Sequence, residues 1–219
     1  MSKTQNRTHK IVLLSLFTAV TYIFSILPAI KVSFLSLDVK DAFIVIASFY
    51  LGPIAGVVIS AVVSVLEMVT NSTTGIYGMI MNFLGSAAFA AVGALIYKYK
   101  KTLIGAVVSL IVATVSMTAV MIAANLIITP FYQGMPVQAI ADLILPLFLP
   151  FNIVKGILNS ALVMMIYKPI STALKKARLL SGINVEGKMN KNTIIVAIFS
   201  AVVIILSVIY VFMVMGGSI

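Results

Sequence analysis

The residue in this sequence with the clearest chemical potential is Lys155, the one charge within the stretch 143–167. An ammonium group set in so apolar a run is costly unless something pairs with it. Asn152 lies three residues earlier, so on a helix the amide and the cation share a face and converge on one spot. Together they can hold a polar ligand; otherwise Lys155 snorkels to an interface or pairs with an acid. Asn125 can offer donors and an acceptor toward the same end of the molecule, or act as polar glue between helices. Asp38, Lys40, Asp41, Glu67, Thr70 and Asn71 fall near that end too and either rim a pocket or form a solvated interface, and Asn82 is open in the same way. Asp41 also suits a helix N-terminus.

Little else is available for catalysis. The chain has five acidic residues, one histidine (His9) and no cysteine. No carboxylates cluster as a metal-dependent phosphotransferase requires, no HExxH pair marks a metalloprotease, and no GxxxxGK(S/T) loop is present to hold a nucleotide phosphate. Enzyme activity, a resident cofactor, a metal site and ATP hydrolysis by this chain are therefore not expected. The net charge of +10 raises the question of nucleic acid. The basic residues, however, sit in short clusters between apolar runs without interleaved aromatics, and they read as topology signals, with no nucleic-acid partner.

What must position these residues is a membrane bundle. The chain is 62% hydrophobic and 9% charged, with a mean hydropathy of +1.19, whereas soluble domains carry roughly 25% charged residues. Stretches 11–30, 42–66, 68–97, 102–141 and 192–219 carry no charge, and each reaches the roughly 20 residues a membrane helix needs. They lack the polar alternation of outer-membrane strands, so helices are expected.

Helix 1 is expected over 11–28, retained and not cleaved as a signal. The segment 31–40 follows, whose VSFLSLDV alternation predicts extended chain. Gly52-Pro53 splits the next run into a short helix at 41–51 and a longer one at 53–69. Further helices are expected at 76–97 and 103–128, then an outer loop at 129–142 with Pro130, Gly134 and Pro136. The sixth helix is broken at its start by Pro146 and Pro150 and ends near 167, and 193–215 can form a seventh span. With the split, Lys3/Arg7/Lys10, Lys98/Lys100/Lys101 and Lys168/Lys175/Lys176/Arg178/Lys188/Lys191 share one side, 12 of the 15 basic residues, and that side should be cytoplasmic. The expected organisation is a cytoplasmic N-terminal tail (1–10), an all-α membrane domain of six transmembrane helices (11–180), a cytoplasmic linker (181–192) and an extra C-terminal transmembrane helix (193–215).

The runs LDVKDAFIVIASFYLGPIAGVVIS, LEMVTNSTTGIYGMIMNFLGS, AANLIITPFY and PFNIVKGILNSALVMMIYKPI together resemble the riboflavin-binding S component of energy-coupling-factor (ECF) vitamin transporters, over about residues 8–178. The resemblance implies six helices with both ends cytoplasmic in a bacterial cell membrane, among lipid. It implies a vitamin site near the outer surface, closed by the loop after helix 1. Asn125, Asn152 and Lys155 would contact riboflavin, with Asp38 and Lys40 at the pocket's rim. Riboflavin, or also its phosphate FMN, would be the transported ligand and not a cofactor. The implied partners are a transmembrane coupling protein and two cytoplasmic ATPase subunits. Ser15 and Ala19, a small-xxx-small pair on helix 1, would dock the coupling protein, although an internal packing seam fits the same spacing. Ser15, where the family more often has alanine, and the tail beyond about residue 180 depart from the pattern. An S component for a folate- or thiamine-class vitamin, a lipid-directed membrane enzyme, and a proton-coupled carrier using Glu67 or Asp142 are the competing readings.

Overall fold

A computed structural model of the chain describes residues 3–72, 74–177 and 191–216. In chain order these form α1 (Lys3–Ser25), a hairpin of β1 (Ile30–Val32) and β2 (Leu35–Leu37), α2 (Lys40–Leu51), α3 (Pro53–Thr70), α4 (Gly75–Tyr97), α5 (Leu103–Gln133), the short α6 (Val137–Asp142), a π-helical turn (Ile144–Phe148), α7 (Leu149–Lys176) and α8 (Lys191–Val214). Six segments are long and apolar enough to cross a bilayer: Arg7–Ser25, Pro53–Thr70, Gly75–Tyr97, Leu103–Gln133, Ile144–Leu174 and Ile194–Val214. The expected six-helix bundle is made by α1 to α5 with α7, and α8 is the additional span.

Helix α2 is the exception among the bundle helices. Its 12 residues extend about 18 Å at 1.5 Å per residue, well short of the roughly 30 Å hydrocarbon core. It is apolar all round because it is enclosed all round: residues 40–48 are buried without exception. Its break from α3 falls where expected. Gly52 adopts φ 99, a left-handed conformation that costs an L side chain energy, and Pro53 opens α3, where its missing N–H is no loss.

The segment expected to be extended is the β hairpin, in register Ile30 with Leu37, Lys31 with Ser36 and Val32 with Leu35. Its alternation buries Val32, Leu35 and Leu37 and exposes Lys31 and Ser36. Ser33, at the two-residue turn, takes φ 56. Irregular chain at membrane depth is tolerated only where protein encloses it or a cavity adjoins it, and both hold here.

Several boundaries differ from expectation. α1 begins at Lys3, so the predicted tail is helical from that residue. α5 runs through Pro130 to Gln133, past the expected end at 128; only one helical hydrogen bond is forfeited at a proline, and the helix closes at Gly134, φ 65, whose N–H donates to the Pro130 carbonyl at 3.0 Å. The expected outer loop at 129–142 is largely helical, holding the end of α5 and the short α6, and the proline-broken start of the sixth helix resolves into the π turn that holds Pro146, with Pro150 in the first turn of α7. α7 continues through Pro169 to Lys176, beyond 167. Most of the predicted linker, 181–190, lies outside the described residues.

Two apolar clusters hold the bundle. One, with Phe17, Ile44, Ile46, Ile59, Phe89, Leu110 and Met117, surrounds α2. The other, with Val32, Leu37, Ile140, Phe148, Phe151 and Val211, seats the hairpin against the π turn, α7 and α8. Bilayer helices gain by close backbone approach, and Gly156 on α7 permits one: a methyl group there would run into the side chain of Thr114 on α5. Gly156→Ala should therefore lower stability by about 1–3 kcal/mol, measured as the thermal unfolding midpoint in detergent, and Thr114→Ala added to it should restore most of the loss.

Candidate functional site

Because α2 is short, its N-terminus stops inside the bundle and leaves space above it at the end opposite the basic clusters. That space is a cavity of about 300 Å³. Its walls are Ser25 and Leu27 after α1, hairpin residues Lys31, Phe34, Leu35 and Ser36, Asp38 and Lys40 before and at the start of α2, and Glu67, Asn71 and Ser72 from α3 and its exit. On the far side stand Met81, Asn82 and Ser86 of α4, Met117, Met121 and Tyr132 of α5, and Phe151, Asn152 and Lys155 of α7.

The floor is a network of buried charge. The Lys40 Nζ donates to both carboxylate oxygens of Glu67, at 2.5 and 2.7 Å, with both residues almost wholly buried. Asn82 Nδ2 donates to Glu67 Oε2 at 3.0 Å. Lys155 Nζ sits 3.0 Å from Asp38 Oδ2 and 3.6 Å from Asp41 Oδ2, and Lys40 Nζ is 3.9 Å from Asp38 Oδ2. Ser86 Oγ donates to Asp41 Oδ1 at 2.5 Å. Burial pushes the Asp38 carboxyl upward, but the Lys155 and Lys40 cations outweigh it and hold the carboxyl below its ordinary value. Its Oδ2 takes the cations, while its Oδ1 has no side-chain partner among the described residues. A buried acceptor without a donor invites one from a ligand.

Asn159 ties this floor to α7. Its Oδ1 accepts the N–H of Ala42 at 2.9 Å, and its Nδ2 donates to the carbonyls of Asp38 and Lys155, each at 3.0 Å. The side chain of one helix thus caps the N-terminus of another, which carries no cap of its own from Val39.

Of the residues singled out in the sequence, Asn152, Lys155, Asp38 and Lys40 meet on this cavity, with Glu67, Asn71 and Asn82. Lys155 is paired with acids, one of the roles foreseen for it. Asn152 donates to the Phe148 carbonyl at 2.8 Å. Asn125 stands behind the wall: fully buried, it donates to the Met121 carbonyl at 2.7 Å and accepts from Thr129 Oγ1 at 2.8 Å, all within α5. Thr70 turns its hydroxyl back to the Leu66 carbonyl. Asn159 was missed, although its spacing of four from Lys155 places both on one face. So were Ser86, an isolated hydroxyl in an apolar helix, and the aromatic contacts of the expected closing loop, where Phe34 at the hairpin turn meets Tyr132 and Phe148 edge-on at 6.4 and 5.9 Å. Ser15 and Ala19 lie on the outward face of α1 with Val12 and Leu16, and are not part of an internal seam.

A family model described as "ECF transporter, substrate-specific component" matches residues 9–167. The chain belongs to the ECF transporter substrate-specific (S) components. It is 30% identical to the riboflavin transporter RibU of Staphylococcus aureus (strain TCH60) over 151 residues, covering 65% of this chain and 78% of that one. It is 25% identical to the riboflavin transporter FmnP of Bacillus subtilis (strain 168) over 185 residues, or 78% of this chain and 97% of the relative. A solved structure described as "Structure and mechanism of the S component of a bacterial ECF transporter" superposes with a TM-score of 0.65 at 28% identity, covering 78% of this chain and 99% of that one. This S component is thus a multi-pass membrane protein of a transporter family, and the family match stops at residue 167, before α8 begins.

The network makes a stability prediction for the S component. Glu67→Gln leaves the buried Lys40 ammonium with only the more distant Asp38, at 3.9 Å, and should cost about 3 kcal/mol, whereas Lys40→Met combined with Glu67→Met removes both charges and should recover most of it. Unfolding midpoints of the two proteins in detergent decide this; an equal loss in both would mean that the pair's charge is not what matters.

Proposed function

We propose that this S component captures riboflavin at the outer face of the cell membrane and delivers it through an ATP-driven coupling module. The observation that carries this reading is the roofed cavity: its volume of about 300 Å³ falls in the range of small-ligand sites, and its wall is split between apolar and hydrogen-bonding surface. Phe34, Tyr132 and Phe151 suit the flat face of an isoalloxazine ring. Asn82, Asn152 and the open carboxylate oxygen of Asp38 suit its imide edge and ribityl hydroxyls. Lys155 spends one short hydrogen bond on Asp38 and, with three donors, keeps capacity for a ligand carbonyl or hydroxyl. The names of the two relatives favour the same ligand.

The orientation follows from charge. With the start of α1, the α4–α5 turn holding Lys98, Lys100 and Lys101, and the α7 end holding Lys168 and Lys176 all opposite the cavity, the positive-inside rule puts the N-terminus and those clusters in the cytoplasm and opens the cavity outward. The transmembrane coupling protein would dock on the exposed small-residue face of α1 at Ser15 and Ala19, and two cytoplasmic ATPases would supply the energy that this chain has no loop to harvest.

Titrating the detergent-purified protein with riboflavin should quench flavin fluorescence at about one ligand per chain, and Asn152→Ala and Lys155→Ala should each weaken binding about tenfold or more. FMN in a parallel titration shows whether a phosphate is accepted. Absence of quenching by folded wild type would overturn the flavin assignment, and a thiamine or folate panel would follow. Separately, Ser15→Leu with Ala19→Leu should leave the riboflavin titration unchanged and abolish uptake in vesicles containing the coupling protein and ATPases; unchanged uptake would move the docking face elsewhere.

A further inference from the structure

A second cavity, between α5, α7 and α8, has no part in the vitamin site. It measures about 780 Å³ and is lined by such residues as Ile111, Val115, Ile153, Ile157, Phe199 and Val203. All three walls belong to segments apolar enough to cross a bilayer, so it opens into hydrocarbon. Two of its four hydroxyls are turned away: Thr114 and Thr118 donate to the carbonyls of Leu110 and Thr114 on their own helix, at 2.9 and 2.8 Å, while Ser160, whose Oγ has no partner among the described residues, and Ser200 also line it.

The groove exists because α8 meets the bundle unevenly. Val208 and Val211 pack into the cluster beneath the hairpin, while Val196, Phe199 and Val203, nearer the basic end, border the open space. On α7 the wall runs from Leu149 to Met164, roughly 22 Å at 1.5 Å per residue, longer than the roughly 15 Å depth of one leaflet's hydrocarbon. The same stripe of α7 reaches Lys168 one turn beyond Met164, and on the α5 side exposed Lys100 and Lys101 precede the first turn. The apolar slot therefore runs toward the end of the bundle that carries Lys100, Lys101 and Lys168, none of which is among its lining residues.

We propose that this groove holds an acyl chain of an anionic membrane phospholipid, with the headgroup phosphate at the lysine-rich end. A void in hydrocarbon forfeits dispersion contacts along its lining, and a lipid tail entering from the lysine-bearing end supplies them over the depth of its leaflet. The lysines at that end supply the charge complement of an anionic headgroup. The third wall is α8, which lies beyond the family match, so the site is an addition to the S-component bundle and does not rest on the riboflavin reading.

The test uses the full chain, delipidated in non-ionic detergent and titrated with phosphatidylglycerol or with phosphatidylcholine of the same acyl chains, bound lipid being counted by native mass spectrometry. The expected result is one retained phosphatidylglycerol per chain, bound about tenfold more tightly than phosphatidylcholine. Ala119→Phe, which fills the groove from α5, should abolish retention, and Lys100→Gln combined with Lys101→Gln should bring the two lipids to equal affinity. The lipid-free unfolding midpoint checks the fold of each variant, and Ser200→Phe carries the test from α8 if Ala119→Phe misfolds. Retention that does not saturate, equal affinity of wild type for both lipids, unchanged retention in both groove-filling variants, or a lipid-free dimer cross-linked through this face would overturn the proposal.

Discussion

The pairing of Lys40 with Glu67 is the constraint on which the rest of the structure depends. It holds the N-terminus of α2 inside the bundle, where an isolated charge of either sign would be expensive. Around it Asp38, Asp41 and Lys155 complete a network in which each cation has a carboxylate within 4 Å. This requires the start of α2, the outer turn of α3 and the middle of α7 to stay in fixed register. Asn82 and Ser86 of α4 and Asn159 of α7 add hydrogen bonds to it, so the floor is cross-braced by both helices and leaves Asp38 Oδ1 open. A buried network of this kind contributes little net stability compared with apolar packing; what it supplies is a polar surface held in place.

The cavity is the geometric result of that arrangement. A helix of 12 residues packed between neighbours of 18 to 28 residues leaves a well above its first turn. The well is lined by the groups that terminate α2 and is roofed by a hairpin that the outer helices support. The hairpin has only three residues in each strand and makes its contacts through buried Val32, Leu35 and Leu37 and through Phe34 at its tip. So short a two-stranded element gains its stability from what it covers, which couples the roof to the contents of the well.

The two cavities divide the molecule by solvent. The one beneath the hairpin is lined by charged and hydrogen-bonding groups, which suit a polar organic molecule. The one beside α8 is apolar, faces lipid and runs toward the lysine-bearing end. One bundle presents both because α2 is too short to fill its end and α8 is too divergent to close its side.

The sequence by itself determined the solvent and the topology. Charge-free runs of membrane length, the Gly52-Pro53 break, and basic clusters on one side fix the number of helices and their alternation, because lipid permits few ways to satisfy a backbone. It also drew attention to Lys155, since a lone cation in an apolar span must be paired or functional. Its helical spacing tied Lys155 to Asn152, and the alternation of 31–40 foretold the hairpin. Only the tertiary structure decided which acids pair with which lysines, because the partners lie 27 and 117 residues apart in the chain and no local periodicity records such distances. For the same reason it alone placed Asn159 as the cap of α2, withdrew Asn125 behind the cavity wall, and opened the groove at α8. Each of these depends on how a helix is rotated and tilted against its neighbours, which side-chain packing across the bundle sets and helical periodicity alone does not.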